Sequence, residues 1–156
     1  MVRGITVPPD ARALSTLAHI DYEDAFLVDV GDTGERTAEQ WARAIFDGAP
    51  GRVRRSLWVS WFALGLRLGS PRSPRHVLGW EVRRSKPDFA LLGARSRIGM
   101  PAELLVKRQT RTQLLFDTFV QKENPLARAV WATIEPRHEP IVKHVMEQAA
   151  RRVQVR

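Results

Sequence analysis

His138 has the most versatile chemistry of any side chain in this sequence. Near neutral pH, a neutral imidazole can orient a ligand carbonyl group, or act as a general acid or base. The residue follows Pro136 in a long helical segment at the C-terminal end, where it could face the mouth of a cavity. The alternative is a structural histidine that hydrogen-bonds to a neighbouring backbone group.

The spacing of the histidines argues against a metal site. His138 and His144 are six residues apart, which is about 600° of helical rotation, so they point to opposite faces. Glu147 could add a carboxylate, but histidines that bind zinc from a helix are usually three or four residues apart. We therefore expect no metal and no other cofactor.

Covalent catalysis finds no support in the pattern of residues. There is no cysteine, which excludes disulfides, Cys-ligated zinc and thiol nucleophiles. Neither a Ser-His-Asp arrangement nor a glycine-rich phosphate loop nor a dinucleotide fingerprint occurs. Asp24 lies on the opposite strand face from Glu23 and Asp29, so these carboxylates do not converge. We leave open whether the protein is an enzyme and favour a non-catalytic role.

Aromatic side chains are candidates for contacts with an apolar ligand. The chain contains five tryptophans. Trp80, Phe116 and Trp131 could line a pocket, with the indole N–H groups as donors to the ligand. The alternative for each of them is ordinary core packing.

Two polar residues occupy strand faces that are otherwise apolar. Arg108 shares a face with Leu104 and Val106, and Thr118 shares a face with Phe116 and Val120 in the next strand. A buried arginine without a partner is too costly, so Arg108 should reach the rim or pair with an acid or an anionic ligand. A solvent-exposed position at the sheet edge is the alternative.

The hydrophobic pattern predicts one α+β domain over residues 1–156, in which residues 1–18 are a lead-in segment. A strand is followed by two helices, four strands and one long helix, and the short connections require the four strands to pair antiparallel. The predicted strands are Ile20–Val30, Val77–Arg84, Phe89–Ser96, Ala102–Gln109 and Gln113–Gln121. Three helices are predicted. The first starts at Thr37, and the other two cover Val53–Leu68 and Asn124–Arg152.

Local signals support the helices. Thr37 and Gln40 have the spacing of a capping box, and Gly48 is typical of a helix end. The last helix carries an apolar stripe, within which Pro136 and Pro140 cannot donate backbone hydrogen bonds. The helix should therefore kink or restart there. The stripe consists of Leu126, Val130, Ile134, Ile141, Val145 and Ala149.

Several segments between residues 19 and 152 resemble the START-like or helix-grip superfamily (SRPBCC), which includes polyketide cyclase-like proteins. The segments are His19–Phe26, Ala42–Pro50, Leu92–Ser96, Asp117–Val120, Ala129–Ala132 and Glu135–His138. Within the superfamily, the chain looks like a bacterial family of unknown function. The resemblance implies an antiparallel sheet wrapped around the C-terminal helix, with two short helices after the first strand.

The same resemblance implies an apolar cavity between the sheet and the last helix. It favours a hydrophobic small molecule as the partner. The alternative is a polyketide cyclase or aromatase, with His138 or Arg108 orienting a polyketone. The candidate cavity residues are Trp80, Arg108, Phe116, Thr118, Trp131 and His138.

Positive charge suggests a further alternative, a basic module that binds nucleic acid or anionic lipid. The net charge is +8. Residues 51–86 carry nine basic residues against the single acid Glu81. Nucleic acid is not favoured, because aromatic and basic residues do not alternate on one strand face. Of the 25 basic residues, 21 are arginine, and the codon composition of a GC-rich genome would also explain this bias.

The apolar stretches are short. Leu57–Leu68 spans about a dozen residues, whereas a bilayer span needs about 20. We expect a cytoplasmic protein without a transmembrane segment, and leave homo-oligomerisation open.

Overall fold

An antiparallel sheet and a long C-terminal helix form the body of the protein. The computed structural model describes residues 1–155, with side chains through residue 153. The strands of this range are β1 (Val2–Ile5), β2 (Tyr22–Asp29), β3 (Leu66–Arg67), β4 (His76–Val77), β5 (Trp80–Ser85), β6 (Phe89–Ser96), β7 (Ala102–Arg108) and β8 (Gln113–Val120). The helices are α1 (Pro9–Arg12), α2 (Ala38–Phe46), α3 (Gly51–Ala63) and α4 (Pro125–Val155).

The sheet has the order β1-β2-β8-β7-β6-β5-β4, and β3 pairs with β6 outside this path. All pairs are antiparallel. The predicted α+β class is confirmed: an open antiparallel sheet is combined with a long C-terminal helix in a helix-grip arrangement. No helix in residues 1–155 is long and apolar enough to cross a membrane.

Strand alternation gives the sheet two buried faces. On β8, Leu114, Phe116, Thr118 and Val120 point inward, and Leu115, Asp117 and Phe119 point outward. The inner face packs against α2 and α4 and contains the larger core. At β8 both faces exclude water, so a polar group that lacks a partner there is costly.

Residues before β2 cover the outer face of the sheet, which the sequence did not predict for this lead-in segment. Val7 and Ala11 pack there with Leu105 and Phe119. The fully buried carboxylate of Glu103 accepts hydrogen bonds from the hydroxyls of Ser15 and Thr16, and Arg83 Nη1 lies 3.3 Å from it. This carboxylate therefore holds the N-terminal segment on the sheet.

Backbone geometry shortens one predicted helix and divides one predicted strand. The helix predicted over Val53–Leu68 stops at Ala63, because Gly65 has a φ of +83°, after which Leu66 enters β3. The strand predicted over Val77–Arg84 is instead a hairpin. Leu78 and Gly79 have φ values of 46° and 91°, as a tight hairpin turn requires.

The C-terminal helix continues through both prolines and does not restart. Pro136 and Pro140 lie inside α4 at exposed positions, and the helix runs through them although two carbonyl groups lose their helical donors. The predicted stripe is partly wrong, since Leu126 and Ile141 are 57% and 50% exposed. Among the described side chains of this helix, the buried ones are Ala127, Trp131, Val145, Met146, Ala149 and Ala150.

Helix starts were predicted correctly where a side chain caps the backbone. Thr37 accepts a hydrogen bond from the Gln40 backbone and Gln40 returns one, which completes the capping box of α2. Asn124 caps α4, because its Oδ1 accepts the Ala127 N–H at 2.8 Å.

Asp117 makes the stability of the fold depend on pH. Its side chain is buried on the outer face, and its oxygens have no hydrogen-bond partner among the described residues. Burial, followed by the nearby carboxylates of Asp24 and Glu23, raises the pKa of Asp117 to about 8. An unfolded chain ionises aspartate near pH 4, so only the folded state keeps this proton between about pH 4 and pH 8. This group therefore lowers the free energy of unfolding as the pH rises through that range, by at most about 1.4 kcal/mol per pH unit.

Asp117→Asn should remove this dependence, because the amide stays neutral. We expect the variant to gain stability relative to wild type as the pH increases from about 5 to about 8. Urea denaturation at several pH values measures the difference, and Asp88→Asn, at an exposed position, is the control. A stability difference between Asp117→Asn and wild type that stays constant over this range would contradict the prediction.

Candidate functional site

Two adjoining cavities lie between the inner face of the sheet and the helices α3 and α4. Each has a volume of about 70 Å³. Trp61, Leu104, Thr118 and His138 line both cavities and so separate them. The first continues towards Phe46, Phe116 and Val145, and the second towards Trp80, Val120 and Trp131.

A hydrogen-bonded cluster of Tyr22, Asp24 and His138 forms the polar side of this region. His138 Nδ1 lies 2.9 Å from Asp24 Oδ2, and the Tyr22 hydroxyl donates to the same oxygen at 2.7 Å. The side chains of Asp24 and His138 are 5% and 18% exposed. Tyr22 and Asp24 are two residues apart on β2, so alternation turns both towards α4, which supplies the histidine.

The shared carboxylate determines which imidazole nitrogen carries a proton. An ionised carboxylate only accepts hydrogen bonds, so we assign the proton to Nδ1 of His138. In the neutral ring, Nε2 is then the acceptor. Because His138 lines both cavities, this ring can present an acceptor to a bound molecule while Asp24 fixes its orientation.

Aromatic rings enclose the histidine. The ring centroid of Trp131 lies 5.2 Å from that of His138 and 4.7 Å from that of Tyr22. Tyr22 meets His138 edge to face at 5.7 Å. Trp131 Nε1 donates to Glu135 Oε1 at 3.3 Å. These contacts restrict the imidazole to one orientation, as a recognition group requires.

Two polar atoms in the cavity walls have no partner in the part of the chain that the structure describes. They are Thr118 Oγ1 and Trp80 Nε1, both buried. Asp24 Oδ1, behind the histidine, is also buried and unpartnered. An unsatisfied buried polar group costs about 1–3 kcal/mol. Such groups are expected where a protein exchanges hydrogen bonds with a ligand or water.

Five of the six residues proposed from the sequence line the cavities: Trp80, Phe116, Thr118, Trp131 and His138. Arg108 does not. It lies at the end of β7, where its guanidinium group donates to the Gly34 carbonyl oxygen at 2.8 Å. Among the described residues, the guanidinium group of Arg108 thus pairs with a loop backbone and not with an acid.

Sequence reasoning missed Tyr22, Asp24, Trp61 and Leu104 as members of the site. The signal for Asp24 was an acid on a strand face shared with Tyr22, Phe26 and Val28. Alternation separates Asp24 from the neighbouring carboxylates, and its partner lies instead on α4, far along the chain. No three metal-binding side chains are grouped together within residues 1–155.

Tyr22 gives a direct spectroscopic test of the cluster, because it is the only tyrosine in the chain. Burial raises the pKa of Tyr22 far above its usual value, and the hydrogen bond and negative charge of Asp24 add to this effect. We expect no tyrosinate absorbance while the protein remains folded at alkaline pH; the absorbance should appear together with unfolding, followed by circular dichroism. Asp24→Asn should bring the ionisation to lower pH. A folded wild-type protein that ionises like free tyrosine, near pH 10, would disprove the arrangement.

Comparison with known proteins does not identify a family for this chain. The chain matches no protein-family profile and no curated protein.

Proposed function

We propose that this chain is a START-like protein that binds a small, mainly apolar molecule carrying one hydroxyl or carbonyl group, between the sheet and α4. The observation that carries the proposal is the convergence of Thr118, Trp80 and His138 on two adjoining apolar cavities. A region that served only for packing would contain apolar side chains at these positions.

The volume of the cavities limits the size of the ligand. An apolar cavity of about 150 Å³ holds one benzene molecule, whereas pockets for drug-sized ligands exceed about 300 Å³. The two cavities of about 70 Å³ each therefore suit a single ring if they merge. Movement of Trp61, Leu104 or His138 would join them, and a larger ligand would require displacement of a helix.

The lining also limits the chemistry of the ligand. The Trp80 indole can only donate a hydrogen bond, the Thr118 hydroxyl can donate or accept, and His138 Nε2 accepts. A ligand carbonyl can accept hydrogen bonds from Trp80 and Thr118. A ligand hydroxyl can form hydrogen bonds with Thr118 and His138. The buried carboxylate of Asp24 next to the cavity disfavours an anionic ligand.

A second candidate, an enzyme that moves a proton, is favoured by the Asp24–His138 hydrogen bond. A carboxylate that fixes the imidazole through Nδ1 leaves Nε2 as a base for a carbonyl compound in the cavity. Such an enzyme of the cyclase or aromatase type would rely on His138 alone, because Arg108 lies outside the cavities.

Pairs of probes that differ in one polar group test the proposed binding. We expect phenol to bind about tenfold more tightly than toluene, and cyclohexanone about tenfold more tightly than methylcyclohexane, because each polar probe satisfies a buried group. Tryptophan fluorescence and thermal shift measure the affinities. Thr118→Val, which keeps the side-chain shape, should reduce the difference, whereas Arg108→Gln should not. Absence of binding by all four probes, or equal effects of both substitutions, would refute the proposal.

His138→Gln separates binding from catalysis. For a substrate that is turned over, we expect this substitution to lower kcat by about a hundredfold or more, as removal of a general base does. Asp24→Asn should lower it as well and change its pH profile. If a ligand binds and neither substitution affects any turnover, the enzyme candidate is wrong and the binding function stands.

A further inference from the structure

Helix α3 presents one face to the core and another to solvent. Leu57, Trp61 and Leu64, the residue after its end, are partly buried and pack against the inner core. The outer face consists of residues 52, 55, 59 and 62, which are three or four residues apart and so lie on one side of the helix. Its apolar members Val59 and Phe62 are 56% and 44% exposed. None of the residues of α3 is fully buried.

Most of the positive charge around this outer face has no carboxylate within ion-pair distance among the described residues. Arg52, Arg54 and Arg55 on α3, and Arg72 and Arg75 in the following loop, are exposed and form no ion pair with a carboxylate in the described part of the chain. By contrast, Arg43 and Arg83 each lie close to two acids. Arg54 donates a hydrogen bond to the Asp47 backbone and lies near its carboxylate. The other four arginines form a field that attracts anions.

A groove beside α3 combines apolar surface with positive charge. It has a volume of about 280 Å³ and lies between the helix and the segment that contains Pro71 and Leu78. Arg54 and Arg55 stand at its wall together with Trp58 and Val59. Cationic groups beside apolar surface are the complement of an anionic amphiphile, which has a charged head and an apolar body.

We propose that the outer face of α3 and this groove dock the protein on an anionic lipid membrane. Arg52, Arg54 and Arg55 bind the phosphate and carboxylate groups of the lipid heads. Val59 and Phe62 enter the boundary between head groups and acyl chains. This role is independent of whether the inner cavities bind a ligand.

Lipid explains this surface better than nucleic acid does. The Phe62 ring is already stacked on Trp58, with centroids 5.4 Å apart and planes 8° apart, and the Arg97 guanidinium lies 4.9 Å from its centroid. A ring engaged in this way is not presented for stacking on a base. Val59 contributes only apolar area, which matters for a membrane and not for a phosphate backbone.

Co-sedimentation with lipid vesicles tests the proposal. We expect the full chain to bind vesicles made of equal parts phosphatidylcholine and phosphatidylserine, and not vesicles of phosphatidylcholine alone. Binding should weaken with salt. Arg52→Gln together with Arg55→Gln should weaken it by about thirtyfold, at about fivefold for each arginine near an anionic surface. The matched control is Arg128→Gln with Arg137→Gln, which removes two exposed arginines from α4 and should leave binding almost unchanged.

Val59→Ser with Phe62→Ser separates lipid from other anions. We expect this pair to weaken vesicle binding without changing its salt dependence. All substituted positions are exposed, and circular dichroism checks that each variant is folded. The proposal is overturned if wild type does not bind the anionic vesicles at low salt, or if both arginine pairs have the same effect. It is also overturned if Val59→Ser with Phe62→Ser binds as wild type does while the surface retards RNA or DNA.

Discussion

The pairing of β2 with β8 is the interaction on which the rest of the structure depends. Eight residues of each strand pair in unbroken register, from Tyr22 opposite Val120 to Asp29 opposite Gln113. Every residue of β8 from Leu114 to Val120 is buried. Because side chains alternate between faces, a strand buried throughout needs a cover on each side. The helix α4 supplies the inner cover, and the N-terminal segment held by Glu103 supplies the outer one.

The same register creates an electrostatic link between the two faces. Asp24 pairs with Thr118 on the inner face, and Ala25 pairs with Asp117, whose side chain points outward. Asp24 has donors from Tyr22 and His138, whereas Asp117 has none among the described residues. The charge of Asp24 contributes to the raised pKa of Asp117. A change in the charge of Asp24 would therefore change the pKa of Asp117, which lies beneath the N-terminal segment.

The sequence predicted elements well where a local signal determines them. The capping residues Thr37 and Asn124 mark helix starts, and alternation marks the main strands. The site was predicted less completely, because it depends on long-range pairing. Asp24 joins His138, 114 residues away, only when α4 crosses the sheet. Likewise, Arg108 shares its strand face with cavity residues, but the position of the loop at Gly34 determines its partner.

The absence of any fully buried residue in α3 has a consequence for how the cavities can open. A helix whose apolar side chains are only partly buried can separate from its neighbours at a lower cost in free energy than global unfolding requires. Trp61 of this helix is a wall of both cavities, while Arg55 and Val59 border the outer groove. A partner that binds the outer face of α3 more strongly when the helix is displaced also favours the open cavities. By thermodynamic linkage, the two effects are equal in size. Helix α3 therefore connects the outer groove with the inner cavities through residues on its two faces.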